Sequence, residues 1–273
     1  MKKFLVSMFS LLLITSSANA ATWVASDRVA PVGAKILEKN NLPKGVTFKV
    51  VKGDADNSNA TTTNVIFISS DDLAYAGNDN EVAAVVGNEL GHIINGQTSK
   101  TKLRNMAKTA ITSSLSSENI ISTAANSQYL ASKSSLNDNK AADVTATDLM
   151  VKAGYNPLAM VVLVTKMPGS TLEAVQGKPS NSERAMFTYD YLTYNYPQKV
   201  KAGYNCKEYR YFLTYANPIV KDRNSNPKKL AKFNKLQEKN KKLRAKNLAQ
   251  FQTTGANSWD YSYELIKAFT ETK

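Results

Sequence analysis

The chain has 273 residues, of which 42% are hydrophobic and 21% are charged, and its formal net charge is +13. That length is enough for one globular domain with its own core, or for such a domain and a tail. The single cysteine, Cys206, excludes an internal disulfide, and beyond the first 20 residues no apolar run reaches the roughly 18 residues that a membrane-spanning helix needs.

The first 20 residues predict a secretion signal. Lys2 and Lys3 form a basic start, the stretch from Phe4 to Ile14 is apolar, and Ala18-Asn19-Ala20 is a small-residue cleavage site. We expect the mature chain to begin at Ala21 and to lie beyond the inner membrane of a bacterium, in the periplasm. No cysteine follows the cleavage site, so we expect no lipid anchor there.

The first half of the mature chain predicts a helix, two strands and a second, longer helix. Apolar residues at helical spacing, such as Val29 and Val32, give way to the sequence Asn40-Asn41-Leu42-Pro43, which ends the first helix. Two β-branched stretches follow, separated by turn residues. The longer helix has an apolar face and a cap at Asn78 or Asp79. The predicted bounds are residues 27–40 and 79–95 for the helices and residues 46–51 and 62–69 for the strands.

The second half predicts helices and one ambiguous segment. Residues 97–136 are rich in Ser, Thr, Ala and Asn, and their pattern leaves open a weak helix or a mobile loop. A helix over residues 139–153 is stopped by a glycine, and another runs from Pro157 to Thr165. Ser180 and Glu183 have capping-box spacing, which predicts a further helix that begins there.

Positive charge is concentrated near the C-terminus. Residues 221–246 contain eleven Lys or Arg and two acidic residues, a net charge of +9, whereas the rest of the mature chain is close to neutral. This change predicts a domain over residues 21–216 and a basic helical tail over residues 217–273. The lysines from Lys228 to Lys246 are candidates for contact with an anionic envelope surface. We expect no nucleic-acid partner, because the chain is exported and its basic run is poor in aromatic residues. The tail has a predicted apolar stripe of Leu230, Phe233, Leu236, Leu243, Leu248 and Phe251.

The predicted helix over residues 79–95 carries the residues most informative about chemistry. Its segment Asn88-Glu89-Leu90-Gly91-His92 differs in one position from the helix that holds a catalytic zinc. In that helix two histidines four residues apart bind the metal, and the glutamate after the first histidine deprotonates the metal-bound water. Here His92 has the second histidine position and Glu89 the general-base position, but Asn88 replaces the first histidine.

This helix resembles that of the HtpX/BepA-like zinc metallopeptidases, relatives of the CAAX prenyl endopeptidases. Their helix reads approximately D-E-L-A-A-V-L-A-H-E-x-x-H, and Glu81 and the pair Ala83-Ala84 fit it upstream. The resemblance implies an α+β, zincin-like fold, mostly helical with a small β-sheet, and a cleft between the Glu89 helix and the Asp143 helix. Further matching segments, in the family's order, are Asn41-Leu42-Pro43, Asn59-Ala60, Ala142-Asp143, Ala153-Gly154-Tyr155-Asn156-Pro157, and Pro179-Ser180 with Glu183-Arg184.

Carried over position by position, the resemblance shows which ligands are replaced. The family's third zinc ligand is a glutamate four residues before an aspartate; here that position is Asn139, and the aspartate is Asp143. The histidine before the family's Pro-Ser is Lys178, and its arginine is retained as Arg184. Of the three ligands only His92 remains, and we expect this remnant to hydrogen-bond to Asp143.

These replacements predict a site that holds no zinc cofactor. An asparagine amide is a neutral and weak zinc ligand, so two such replacements remove most of the binding energy. The ammonium group of Lys178 adds repulsion if it approaches the pocket as the family's histidine does. Without zinc, Glu89 has no polarised water to deprotonate.

The sequence supports one leading functional hypothesis and two alternatives. The leading one is a pseudoenzyme of the bacterial envelope, which binds polypeptides through its cleft and its second strand as a chaperone, adaptor or inhibitor in protein quality control. The first alternative is an active zinc endopeptidase with an irregular metal site and Glu89 as its base. The second is a scaffold that docks on anionic envelope surfaces through the basic tail.

Overall fold

A computed structural model of the chain describes residues 22–53, 64–97, 120–255 and 259, with only the backbone described over residues 120–135. The described residues are mostly helical and include a small sheet of two parallel strands. The strands are β1 (Thr47–Val51) and β2 (Val65–Ser69), and the helices are α1 (Ala25–Lys39), α2 (Ser70–Leu73), α3 (Asp79–Ile94), α4 (Ile120–Lys152), α5 (Leu158–Lys166), α6 (Thr171–Val175), α7 (Ser182–Asn195), α8 (Pro197–Ala202), α9 (Lys207–Ser225) and α10 (Pro227–Thr254).

The predicted secretion signal and the segment Asn59-Ala60 lie outside the described residues, as do the first two residues of the predicted second strand. The predicted tail is described as far as residue 255 and at residue 259. Within the described ranges, no helix combines the length and the apolar character that crossing a membrane requires.

The small sheet packs against the first helix. Strands β1 and β2 run parallel, with Thr47 opposite Val65 at one end. Helix α1 approaches β1 at Gly33, where an added Cβ would lie 2.7 Å from ring atoms of Phe48, so a larger residue would displace that ring. On β2, Ile66 and Ile68 alternate into the core, which explains the β-branched pattern of this segment. The first helix and both strands thus confirm the elements predicted from the sequence, within a few residues at each end.

Helices α3 and α4 form the centre of the molecule. They approach closely because small residues face each other: an added Cβ on Gly91 would lie 2.9 Å from Cα of Ala142, and one on Gly87 would lie 3.0 Å from Cβ of Ala146. Asn78 caps α3, since its side chain accepts hydrogen bonds from the backbone N–H groups of Asn80 and Glu81. This helix pair places residues 88 and 92 opposite residues 143 and 139.

Helix α4 starts earlier than predicted. Its backbone is helical from Ile120, whereas the sequence pattern indicated a start at residue 139. Residues 120–136, left open between a weak helix and a loop, are therefore helical, and residues 98–119 lie outside the described residues. The apolar residues of this segment do not recur at a regular helical spacing in the sequence, so their pattern did not indicate a helix. The predicted end is confirmed: α4 stops at Lys152, and Gly154 follows with a φ of 79°.

The predicted capping box of Ser180 and Glu183 is wrong. Helix α7 is capped by Asn181, whose backbone is left-handed with φ of 51° and whose side chain gives no cap hydrogen bond. A capping box does occur at α6, between Ser170 and Glu173. The Glu173 carboxylate also accepts hydrogen bonds from the backbone N–H groups of Asn181 and Ser182, at 3.0 and 2.7 Å, so it caps α7 across the loop.

Two consecutive helices end the described chain. Helix α9 continues through Pro218 to Ser225, so the composition change at residue 217 falls inside a helix. Helix α10 then packs against α3, α7 and α9. The predicted apolar stripe of α10 is partly wrong: Leu236 and Leu243 are exposed, whereas Phe251 is buried.

Polar residues replace those two leucines in the interface of α10. Gln237 and Arg244 are 1% and 5% exposed. The rotation of the helix is fixed by contacts near its two ends, because the Phe233 ring lies 3.7 Å from the guanidinium of Arg223 and Phe251 packs edge-on against Trp259. Tertiary contacts therefore bury the face of the helix that carries Gln237 and Arg244, and not the neighbouring face that carries the two leucines.

Candidate metal centre

The candidate site lies where α3, α4 and α7 meet. Helix α3 carries Asn88, Glu89 and His92, and all three are partly buried. Helix α4 carries Asn139 and Asp143, one turn apart on the face towards α3. The structure thus brings together every ligand position that the sequence indicated on these two helices.

Two hydrogen-bonded pairs connect α3 and α4. Asn88 Nδ2 donates to Asp143 Oδ1 at 2.8 Å, and His92 Nε2 lies 3.1 Å from Asn139 Oδ1. In the second pair the imidazole donates when its proton is on Nε2. The expectation that His92 bonds to Asp143 is wrong. Helices α3 and α4 run antiparallel, so position 88 lies beside position 143 and position 92 beside position 139.

Arg184 holds the other side of Asp143. Its Nε and Nη2 atoms donate to the two carboxylate oxygens at 2.5 and 2.8 Å, which is the bidentate geometry of a strong ion pair. The Asp143 side chain is fully buried and that of Arg184 is 14% exposed. Burial alone lowers the pKa of Arg184, but the nearby Asp143 outweighs it and raises the pKa, with smaller contributions from Asp72 and Glu89.

The surroundings of His92 favour its neutral imidazole. Burial lowers the pKa of its imidazole, and the positive charge of Arg184 lowers it further, against an opposing effect of Asp143. A neutral imidazole is the form that binds metals. The Nε2 atom, however, is already in contact with Asn139.

The other two predicted positions differ in their surroundings. Glu89 is partly buried and close enough to Arg184 to contribute to its pKa. Lys178 lies in the exposed loop between α6 and α7, where its backbone N–H donates to Glu173 O at 2.9 Å. Within the described residues, no hydrogen bond or ion pair joins its side chain to the three ligand positions.

Two residues near the site were not predicted from the sequence. Gln97 is buried beside the imidazole of His92, and its Nε2 donates to Asp138 O at 3.1 Å. Lys140 forms a short ion pair with Glu183, which connects α4 to α7 next to Arg184. Neither has a local signal, because each partner is more than 40 residues away in the chain.

The side chains at this site do not fit a catalytic zinc ion. Such an ion takes three strong protein ligands and keeps one open position for water. Here the strong ligand is His92 alone, the two amides are weak, and Asp143 is occupied by Arg184 and Asn88. Across the described ranges, no three His, Cys, Asp or Glu side chains come together as metal ligands would.

Comparison with known proteins places the chain in a family. The model of Peptidase family M48 matches residues 25–189. No curated protein and no solved structure matches the chain. The matched range contains α1 to α6 and both strands, and it includes every position of the candidate site up to Arg184. Because it covers more than half of the 273 residues, the chain belongs to Peptidase family M48, a family of zinc metallopeptidases.

Proposed function

We propose that this protein is an exported pseudoenzyme of the metallopeptidase family, which binds polypeptides without cleaving them in the bacterial envelope. One observation carries the proposal. The positions that correspond to the zinc ligands are hydrogen-bonded in two pairs, Asn88 with Asp143 and His92 with Asn139, and the positive charge of Arg184 pairs with Asp143.

This arrangement opposes zinc chemistry in two ways. A metal ion would have to break the contact between His92 and Asn139, and it would gain one imidazole nitrogen and otherwise only neutral amide oxygens. It would also enter a site that already contains the buried guanidinium of Arg184. Peptide hydrolysis by this family's route needs a metal-bound water, so Glu89 has no such water to activate here.

The second strand is the element that we propose for polypeptide binding. Strand β2 lies beside α3, and among the described residues it pairs only with β1. Asn64 O accepts a hydrogen bond from Thr47 N, so the backbone N–H and C=O groups of the even-numbered residues of β2 point towards β1. Those of Val65 point towards the opposite edge of the sheet. An extended peptide can add to such an edge through its backbone.

The zinc content of the purified protein tests the loss of the metal site. After equilibration with micromolar zinc and desalting, we expect almost no metal in the natural protein. We expect close to one zinc per chain in the double variant Asn88→His, Asn139→Glu, because Asp143 is already placed to accept a hydrogen bond from the restored histidine. The triple variant that adds His92→Gln is the control and should lose the metal again. Near-stoichiometric zinc in the natural protein would contradict the proposal.

Photo-crosslinking tests the binding edge. An unfolded, fluorescently labelled polypeptide is mixed with protein that carries a benzoylphenylalanine in place of Val65, with Lys49 on β1 as the control position. We expect the adduct at position 65 and not at position 49, and we expect binding of the polypeptide to survive Glu89→Gln. Equal crosslinking at both positions, or cleavage of the polypeptide that Glu89→Gln abolishes, would reject the proposed role.

A second candidate function is docking on an anionic surface through α10. The observation that favours it is the exposure of Leu236 and Leu243, 47% and 44%, among the exposed lysines of the same helix. An exposed surface of this composition binds anionic lipids through charge and apolar contact together. Sedimentation with phosphatidylglycerol vesicles should be lost in Leu236→Ser, Leu243→Ser and at high salt. Sedimentation that both changes leave intact would reject this function.

A further inference from the structure

A cavity of about 300 Å³ lies between α4, α7 and α10, apart from the candidate metal centre. None of its lining residues is a ligand position or lies on β2. Its polar lining includes Asp148, Lys152, Tyr191, Asn195, Lys241 and Arg244. A volume of this size is at the lower end of those that hold small-molecule ligands.

Arg244 lines this cavity as a buried cation that forms no ion pair within the described part of the chain. It is 5% exposed, its Nη1 donates only to Ala141 O at 3.5 Å, and its Nε has no hydrogen-bond partner. The other buried arginines of the described chain are paired, Arg184 with Asp143 and Arg223 with Asp190. Buried charges in proteins are normally paired, so Arg244 lacks a directly bonded anion among the described residues.

The one carboxylate of the cavity does not supply that anion. Asp148 accepts hydrogen bonds from the hydroxyl groups of Tyr191 at 2.8 Å and of Tyr196 at 2.7 Å. It interacts with Arg244 through its charge but does not hydrogen-bond to it. Lys152 and Lys241 add two positive charges, and neither has an ion pair within the described residues. The lining therefore has three cations and one anion.

The cavity also offers neutral acceptor groups. Asn195 donates through Nδ2 to Tyr191 O, but its Oδ1 has no partner. Asn40 likewise donates through Nδ2 to Leu149 O at 3.0 Å and leaves its Oδ1 without a partner. A ligand that carries only negative charge would leave these acceptors unmatched.

We propose that the cavity binds a small organic oxyanion that also carries a hydroxyl or amino group. The oxyanion pairs with Arg244, Lys152 and Lys241, and the hydroxyl or amino group donates to an asparagine oxygen. A carboxylate and a phosphate ester share this chemistry. The site is independent of the proposed polypeptide binding, because it uses none of the residues of the metal centre.

Isothermal titration of the full mature protein tests the proposal with three probes: inorganic phosphate, citrate and L-glutamate. We expect saturable binding of citrate or L-glutamate with a dissociation constant below about 1 mM. We expect binding to weaken at least tenfold in Arg244→Gln and to be unchanged in Lys239→Gln, an exposed lysine of the same helix outside the cavity. Binding of phosphate alone assigns the site to phosphate esters, which is the other source of the same chemistry.

Two results would overturn the proposal: no saturable binding of any probe, or binding that Arg244→Gln leaves at full strength. Thermal melting establishes whether Arg244→Gln is folded. If it is not, Lys241→Glu replaces it, because this exposed lysine at the cavity can change its charge without disturbing the core. Its charge reversal should weaken the same probe at least tenfold, and unchanged binding there would also refute the site.

Discussion

In the proposed pseudoenzyme, Asn88 and Asn139 stand at zinc-ligand positions, and both are hydrogen-bonded between α3 and α4. Asn88 donates to Asp143 as the ring N–H of a histidine ligand would donate to a carboxylate, and Asn139 offers His92 a neutral oxygen. A buried polar group without a partner would destabilise the fold by about 1 to 3 kcal/mol. The two amides therefore provide hydrogen-bond partners for Asp143 and His92 without a metal.

The ion pair between Asp143 and Arg184 makes a prediction about stability. Arg184→Gln leaves a fully buried carboxylate without its cation, and we expect the free energy of unfolding to fall by about 3 to 5 kcal/mol. Chemical denaturation measures the change. The double variant Asp143→Asn, Arg184→Gln should regain part of the loss, and Asp222→Asn, which breaks the exposed pair with Lys229, should change stability by less than about 1 kcal/mol.

Asp148 makes a prediction about pH. Burial raises its pKa from 3.8 to about 6, against the hydrogen bonds from Tyr196 and Tyr191, which lower it. Between these two values the native state holds a proton that the unfolded chain releases, so this group's contribution to stability decreases as pH rises. Each unit of difference corresponds to about 1.4 kcal/mol.

The change in stability between about pH 4 and about pH 7 measures this contribution. We expect the stability of the natural protein relative to that of Asp148→Asn to fall over that range, and the difference between the two to be constant at higher pH. Asp222→Asn is the control, because that carboxylate is exposed, and it should follow the natural protein. A profile of Asp148→Asn that is parallel to that of the natural protein would show that Asp148 titrates normally.

At the scale of the elements, close packing of α3 and α4 determines the geometry of the site. Gly87 and Gly91 allow the two helices to approach, so that side chains on one reach partners on the other. Asn181 and Glu173 act at the start of α7, which carries Arg184. Asn181 Nδ2 donates to the backbone oxygens of Val164, Met167 and Pro168 and fixes the loop before the helix.

Gly91→Ala tests this packing. Its Cβ would lie 2.9 Å from Cα of Ala142, where backbone cannot move as a side-chain end can. We expect a loss of about 1 to 3 kcal/mol in the free energy of unfolding. Gly96→Ala is not a suitable control because its φ is 66°, but Gly77→Ala is, since an added Cβ there has no contact closer than 3.6 Å. Equal stability of the Gly91 and Gly77 variants would contradict the close approach.

At the scale of the whole molecule, α10 joins the body through a polar interface. Gln237 Oε1, Asn240 Nδ2 and Arg244 Nε have no hydrogen-bond partners there, and an interface of this kind is less stable than an apolar one of the same area. We therefore expect the amide protons of α10 to exchange faster than those of α3, which is buried along most of its length.

Gln237→Leu tests the same interface. The change removes a buried acceptor without a partner and replaces it with apolar surface, and we expect the melting temperature to rise with a gain of about 1 kcal/mol. Leu236→Gln at the neighbouring exposed position should leave stability within about 0.5 kcal/mol. A loss of stability in both variants would mean that the leucine face of α10, and not the face with Gln237, packs against the body of the protein.

The amino-acid sequence by itself determined that the chain belongs to a metallopeptidase family, indicated the main helices and strands, and predicted the replacement of the zinc ligands. These features depend on residues that are close together in the chain: the spacing from Asn88 to His92, the alternation in β2, and the glycine after α4. The start of α4 and the cap of α7 could not be predicted in this way. The first has no apolar period, and the second depends on Glu173, which acts across a loop.

Only the tertiary structure decided which side chains meet. The pairs Asn88 with Asp143 and His92 with Asn139 follow from the way α3 faces α4, and the bond of Arg184 to Asp143 follows from the approach of α7. The same is true of the rotation of α10 and of the cavity that it closes. These features depend on contacts between residues far apart in the chain, and such contacts leave no period or spacing in the sequence.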